Sequence, residues 1–60
     1  MPWSEMYYPP SMNNLPPEVR RKAIGIANAL LSAGRPEGQA IRIAIARAKE
    51  WAERHAMKAR

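Results

Sequence analysis

Glu50, Glu53 and His55 are the residues of this 60-residue chain whose types and spacing come nearest to chemistry. The two carboxylates are three positions apart, so a helix would place them on one face. Paired carboxylates can exchange a proton or hold a hard cation. Here Arg47, Lys49 and Arg54 crowd them, and the group reads as a salt-bridged surface. His55 is the one histidine, and there is no cysteine. It therefore lacks a second imidazole or a thiolate to complete a transition-metal set. A packing or capping histidine near a helix C-terminus, where positive charge is favoured, is the expected role. The chain shows no nucleophile–base pair. No catalytic residue, cofactor site or metal site is expected, and the chain is not expected to be an enzyme.

The remaining chemistry is electrostatic. Ten Lys and Arg stand against five Asp and Glu, a formal net charge of +5. Such a balance points toward acidic partners, nucleic acid and anionic lipid among them, or to a solvated surface that keeps a small domain soluble. The candidate nucleic-acid-binding residues are Arg20, Arg21, Lys22, Arg42, Lys49, Arg54 and Lys58. A phosphate-binding surface needs such charges on one continuous face. Arg42 and Lys49 share one side of a helix, while Arg47 and Arg54 form a separate row. The charge is spread, and nothing reads as a base-recognition helix.

The elements that must position these residues follow from proline, glycine and apolar spacing. Five of the six prolines lie in the first 17 positions, together with Trp3, Tyr7 and Tyr8. Pro10 to Asn13 suits one short helical turn. Pro16-Pro17 sets a sharp boundary, because the first member of the pair is biased out of the α region. A first helix is expected from about Pro17 to Ala33. Val19, Ala23, Ile26, Ala27 and Leu30 share one face at helical spacing, flanked by Ile24 and Leu31. Arg21, Lys22, Gly25, Asn28 and Ser32 fall on the other. Glu18 suits the positive end of the helix and is spaced to pair with Lys22. Gly34 is the expected stop. A second helix is expected from Pro36 to about Met57, with Ala40, Ile41, Ala44, Ile45, Ala48, Trp51, Ala52 and Ala56 in one broad stripe. Glu50 and Arg54 are spaced as another pair. Ile43, Ala46 and Met57 lie off that stripe and form a candidate interaction surface.

Only Gly34 and Arg35 separate the helices, so the two should pack as a hairpin. Sixty residues make one domain, and a domain this small is marginal without further cover. The aromatic and proline-rich start supplies it. Residues 1–16 are expected to lie across the hairpin as an arm, leaving 58–60 as a basic tail. The expected core is Trp3, Tyr7, Leu15, Val19, Ala23, Ile26, Ala27, Leu30, Ile41, Ala44, Ile45, Ala48, Trp51 and Ala52. With no apolar run near the length of a membrane span and no leader pattern, a soluble, cytoplasmic chain is expected.

The segments "MPWS", "YPPSMNNLPPEV", "KAIGIANALL" and "EGQAIRIAIARAKEWAE" resemble a group of small bacterial proteins of uncharacterised role. Their shared pattern is strongest at Pro10, Ser11, Asn14, Leu15, Pro16 and Val19. More distantly the chain is similar to the ChaB-like family, whose label is cation transport regulator. The resemblance implies a compact, mainly helical module. Some ChaB-like proteins add a small β element, to which no segment here is assigned. These motifs are structural, and the basic end "RHAMKAR" departs from the ChaB pattern. The expectation is an all-α two-helix hairpin with a docked arm. It would serve as a non-enzymatic accessory or regulatory module that contacts an unknown protein partner, or a second copy of itself. Non-specific binding to a nucleic-acid phosphate backbone is the alternative.

Overall fold

The structure, a computed structural model, describes residues 2–58, with the side-chain surroundings of those up to residue 55. A 3-10 turn at Pro10–Met12 precedes helix α1, Pro17–Ser32, and helix α2, Glu37–Lys58. The two helices pack against each other as a hairpin. Among the described residues there is no strand, and an isolated antiparallel bridge joins Ser4 to Tyr7. The all-α hairpin with a docked arm is therefore the observed architecture.

Proline and glycine set the boundaries as their backbone physics requires. Pro16 is extended (φ −57°, ψ 153°), and Pro17 opens α1, where its missing N–H would have had no partner. The Pro16 carbonyl accepts the Arg20 N–H at 2.8 Å. At the other end the Arg35 N–H donates to the Leu30 carbonyl and the Gly34 N–H to that of Leu31, each at 3.0 Å. This double closure is a Schellman motif, and it needs a left-handed residue at Gly34, whose φ is 94°. Helix α2 begins at Glu37, one residue later than expected. Pro36 stays outside the helix and its carbonyl accepts the Ala40 N–H at 2.9 Å, so it acts as the flanking residue.

Gly34→Ala and Gly25→Ala should have opposite signs. A Cβ at either position meets no atom within 4 Å, so packing does not enter. At Gly34 the positive φ costs about 1–2 kcal/mol for an L residue. Gly25 lies inside α1, where alanine gains roughly 0.5–1 kcal/mol over glycine. Thermal melts should show Gly34→Ala falling and Gly25→Ala rising, by about 4–8 °C per kcal/mol in a domain this size.

The arm runs antiparallel to α1. Trp3 lies beside Asn28, Glu5 beside Arg21, and Tyr8 beside Arg20. Ser4 to Tyr7 forms a closed turn, with Ser4 N–H to Tyr7 carbonyl at 2.7 Å and the reverse bond at 3.1 Å. The Ser4 hydroxyl also accepts the Met6 N–H at 3.2 Å. The arm then buries Pro9 and reaches the 3-10 turn, whose Met12 side chain is fully buried.

Trp3, Leu15, Val19, Ala23, Ala27, Ala44 and Ala48 are buried as expected. Met12, Ile24 and Ala40 join them. Ile26, Leu30, Ile41, Ile45, Trp51 and Ala52 are half-buried at the edges. Two expectations are corrected. Tyr7 is 70% exposed, because the Ser4–Tyr7 turn carries it outward, and Tyr8 packs on the core instead. Asn28, assigned to the outer side of the first helix, is buried. Its Nδ2 donates to the Trp3 carbonyl at 3.0 Å, and its Oδ1 accepts the Trp3 N–H at 3.3 Å. The buried arc of α1 is turned toward Ile24 and Asn28 because it faces two neighbours, α2 and the arm. Ala56, Met57 and the 58–60 tail were assigned roles that lie outside the described side chains.

Candidate functional site

His55 is exposed on α2, outside the buried stripe. Its Nδ1 lies 3.0 Å from the Trp51 carbonyl. With its proton on Nδ1 the ring would donate to that carbonyl. The ring also rests on Trp51, with centroids 4.3 Å apart and planes tilted by 38°. Glu50 and Glu53 are exposed. The described residues bring no group of three or more His, Cys, Asp and Glu together.

The expected helix-surface ion pairs are not closed among the described residues. Neither Glu18–Lys22 nor Glu50–Arg54 comes within ion-pair distance, and the one such contact is Glu5–Arg21 at 3.2 Å, both side chains exposed. The Lys22 ammonium instead lies over the Trp51 ring, 5.5 Å from its centroid. That contact crosses from α1 to α2 and is an attraction between a cation and the negative face of the ring. An exposed ion pair in water gains little, so the alternative contact prevails at small cost.

The basic candidates separate by environment. Arg20 is half-buried and engaged by the fold. Its Nε donates to the Met12 carbonyl at 3.2 Å, and its Nη2 to those of Leu15 at 2.8 Å and Asn13 at 3.3 Å. The guanidinium also stacks over the Tyr8 ring at 4.8 Å. These bonds satisfy carbonyls at the end of the 3-10 turn and in the loop that leads to α1, a role that suits the planar fork of arginine. Arg21, Lys22, Arg42, Lys49 and Arg54 are exposed. Lys58 and Met57 lie outside the described side chains.

Lys22 and Arg54 meet at a groove that the expected core partly concealed. Its floor is Ile26 from α1 and Ile43, Ala46 and Trp51 from α2. Its rim is Lys22, Arg47, Glu50 and Arg54, and its volume is about 570 Å³. A second recess of about 510 Å³ continues over the outer face of α1, past Gly25 and Ala29, and shares Lys22, Ile26 and Trp51. No arm residue lines either recess, and of the α1 residues that bind the arm Arg20 and Asn28 line neither, while Arg21, paired with Glu5, borders the second. The arm seals one flank of the hairpin, and the opposite flank stays open. Ile43 and Ala46 were visible as apolar residues off the main stripe. Ile26 and Trp51 were assigned to the core, and their half-exposure follows from the open flank. No helix among the described residues is long and apolar enough to cross a membrane.

No family model matches the chain, and no solved structure matches it. The chain is 58% identical over 53 residues to the uncharacterized protein YdaT of Bacillus subtilis (strain 168), a match that covers 88% of this chain and 35% of that protein. The chain therefore spans about a third of the length of the curated relative it matches, and that relative's name assigns no activity.

Proposed function

We propose that the chain is a non-enzymatic accessory or regulatory module that acts through protein contacts made at the open flank of its hairpin. The observation that carries this reading is the groove: an apolar floor of Ile26, Ile43, Ala46 and Trp51, left uncovered while the arm covers the other side. Apolar surface with a polar rim is the usual anatomy of a protein contact. The distant sequence resemblance to ChaB-like proteins, proposed here without a matching family model, would point in the same direction through their regulatory label. A module of this kind needs no cofactor, and the cytoplasm is its proposed location.

One observation favours a second reading. Lys22, Arg47 and Arg54 surround an aromatic ring, and exposed Arg42 and Lys49 add charge on a separate row of α2. Such a surface would bind a nucleic-acid phosphate backbone without sequence preference.

A capture experiment separates them. The tagged 60-residue chain and its Ile43→Glu variant are incubated with an extract of the source cells, with and without nuclease. A protein retained by the first, lost from the second and unaffected by nuclease is the expected result. Retention that nuclease abolishes would overturn the proposal. So would titrations in which duplex DNA or single-stranded RNA binds at about 50 mM salt and weakens steeply as salt rises.

A further inference from the structure

We infer that the groove takes an acidic amphipathic helix of about three turns, an inference that rests on the protein-contact reading above. The dimensions set the length. Ile43 and Arg54 mark the ends of the groove along α2, a span of about 16 Å at the helical rise per residue. A helix lying in an apolar groove places anchors at i, i+3 or i+4, and i+7. Ile26, Ile43 and Trp51 offer a floor for such anchors, drawn from both helices.

The charges set the sign. Three cations and one carboxylate rim the groove, and among the described residues none of Lys22, Arg47 and Arg54 is in an ion pair. Carboxylates flanking the apolar stripe of an incoming helix would meet them. A second copy of this chain fits poorly, because apposing two such rims sets cation against cation on a chain of net charge +5. Nucleic acid fits poorly as well. The floor is mostly aliphatic, and Trp51 is the one aromatic ring among its lining residues on which a base could stack.

The test uses the full chain and a labelled designed peptide of about 16 residues, with leucines at the anchor spacing and glutamates on the flanks. Two companions carry glutamine or lysine in place of every glutamate. Fluorescence anisotropy should show the glutamate peptide binding at least about tenfold more tightly than the glutamine one, and weakening as salt rises. The lysine peptide should bind most weakly. The double variant Arg47→Glu, Arg54→Glu should reverse the order of the glutamate and lysine peptides. Lys22→Glu combined with Arg47→Glu should do the same with one change on the facing helix. Equal binding of the glutamine and glutamate peptides overturns the acidic partner while leaving an apolar contact groove intact. No binding of any peptide up to about 1 mM overturns the helix occupant. A single-stranded RNA that displaces the glutamate peptide, or a dimer in light scattering that Ile43→Glu dissolves, overturns it in favour of that occupant.

Discussion

Replacing Trp3 by alanine is expected to cost about 3–5 kcal/mol, the usual range for truncating a large buried aromatic. Trp3 is 6% exposed and sits in the same cluster as Met12, Leu15, Val19 and the alanines of both helices. Those alanines let the helices approach closely, but each contributes little apolar area. The arm supplies the bulk that a two-helix hairpin lacks. Domains hold roughly 0.05–0.15 kcal/mol per residue, so a loss of this size would consume most of the stability of 60 residues. Deleting residues 1–9 should cost at least as much, because Pro9 and the Tyr8 contact go too. Tyr7→Ala should stay within about 0.5 kcal/mol, since its ring stands in solvent. Urea denaturation of the three variants checks the ranking. A wild-type midpoint for Trp3→Ala would mean that the arm does not belong to the cooperative unit.

The contrast between Trp3 and Tyr7 shows how far the sequence could be read. Prolines fix the arm's stiffness and the point where α1 begins, so docking was legible in the clustering of prolines and aromatics. Which tyrosine points inward was not. It depends on the Ser4–Tyr7 turn, closed by backbone bonds and by a serine hydroxyl, and neither leaves an apolar pattern. Asn28 was misplaced for a related reason. Helical spacing finds the centre of an apolar stripe, whereas a buried amide that serves another segment's backbone reads as solvent-facing. The hairpin itself depended on features that do have signatures: two proline starts, a glycine stop and a short gap, which spans residues 33–36 in the structure.

The candidate site follows the same division. Ile43 and Ala46 stood out because they lie off the main stripe of α2. That Ile26 and Trp51 complete a groove with them is not legible, because both fit the apolar stripes, and a stripe predicts burial. Their half-exposure depends on which flank the arm covers. The Asn28–Trp3 contact and the Arg20 bonds to the loop make that choice, holding the arm on the flank away from Lys22 and Trp51. The polar contacts that dock the arm thus also determine which apolar surface remains open to a partner.

Asn28→Ala should therefore have an effect out of proportion to the few atoms removed. The Asn28 amide satisfies both backbone polar groups of a buried tryptophan, across 25 positions of sequence. Without it the Trp3 N–H and carbonyl face an apolar interior, and each unpaired group costs about 1–3 kcal/mol. Asn28→Asp isolates half of the contact. An ionised carboxylate still accepts the Trp3 N–H but sets oxygen against the Trp3 carbonyl. Protonation restores a donor. Burial and the facing carbonyl both disfavour the charged form, so the folded variant holds its proton above the unfolded value of about 4. Its deficit relative to wild type should thus be smallest below about pH 4 and should grow as pH rises through the folded pKa. Measuring both proteins at each pH cancels the titrations they share. A deficit independent of pH would mean that the donated bond contributes nothing. Combining Asn28→Ala with deletion of residues 1–9 completes the test. If the amide acts by holding the arm, Asn28→Ala should cost little once residues 1–9 have been deleted, a non-additivity of about 0.5–3 kcal/mol. Simple addition would place the role of Asn28 within the hairpin, and the arm would then be held by its apolar contacts alone.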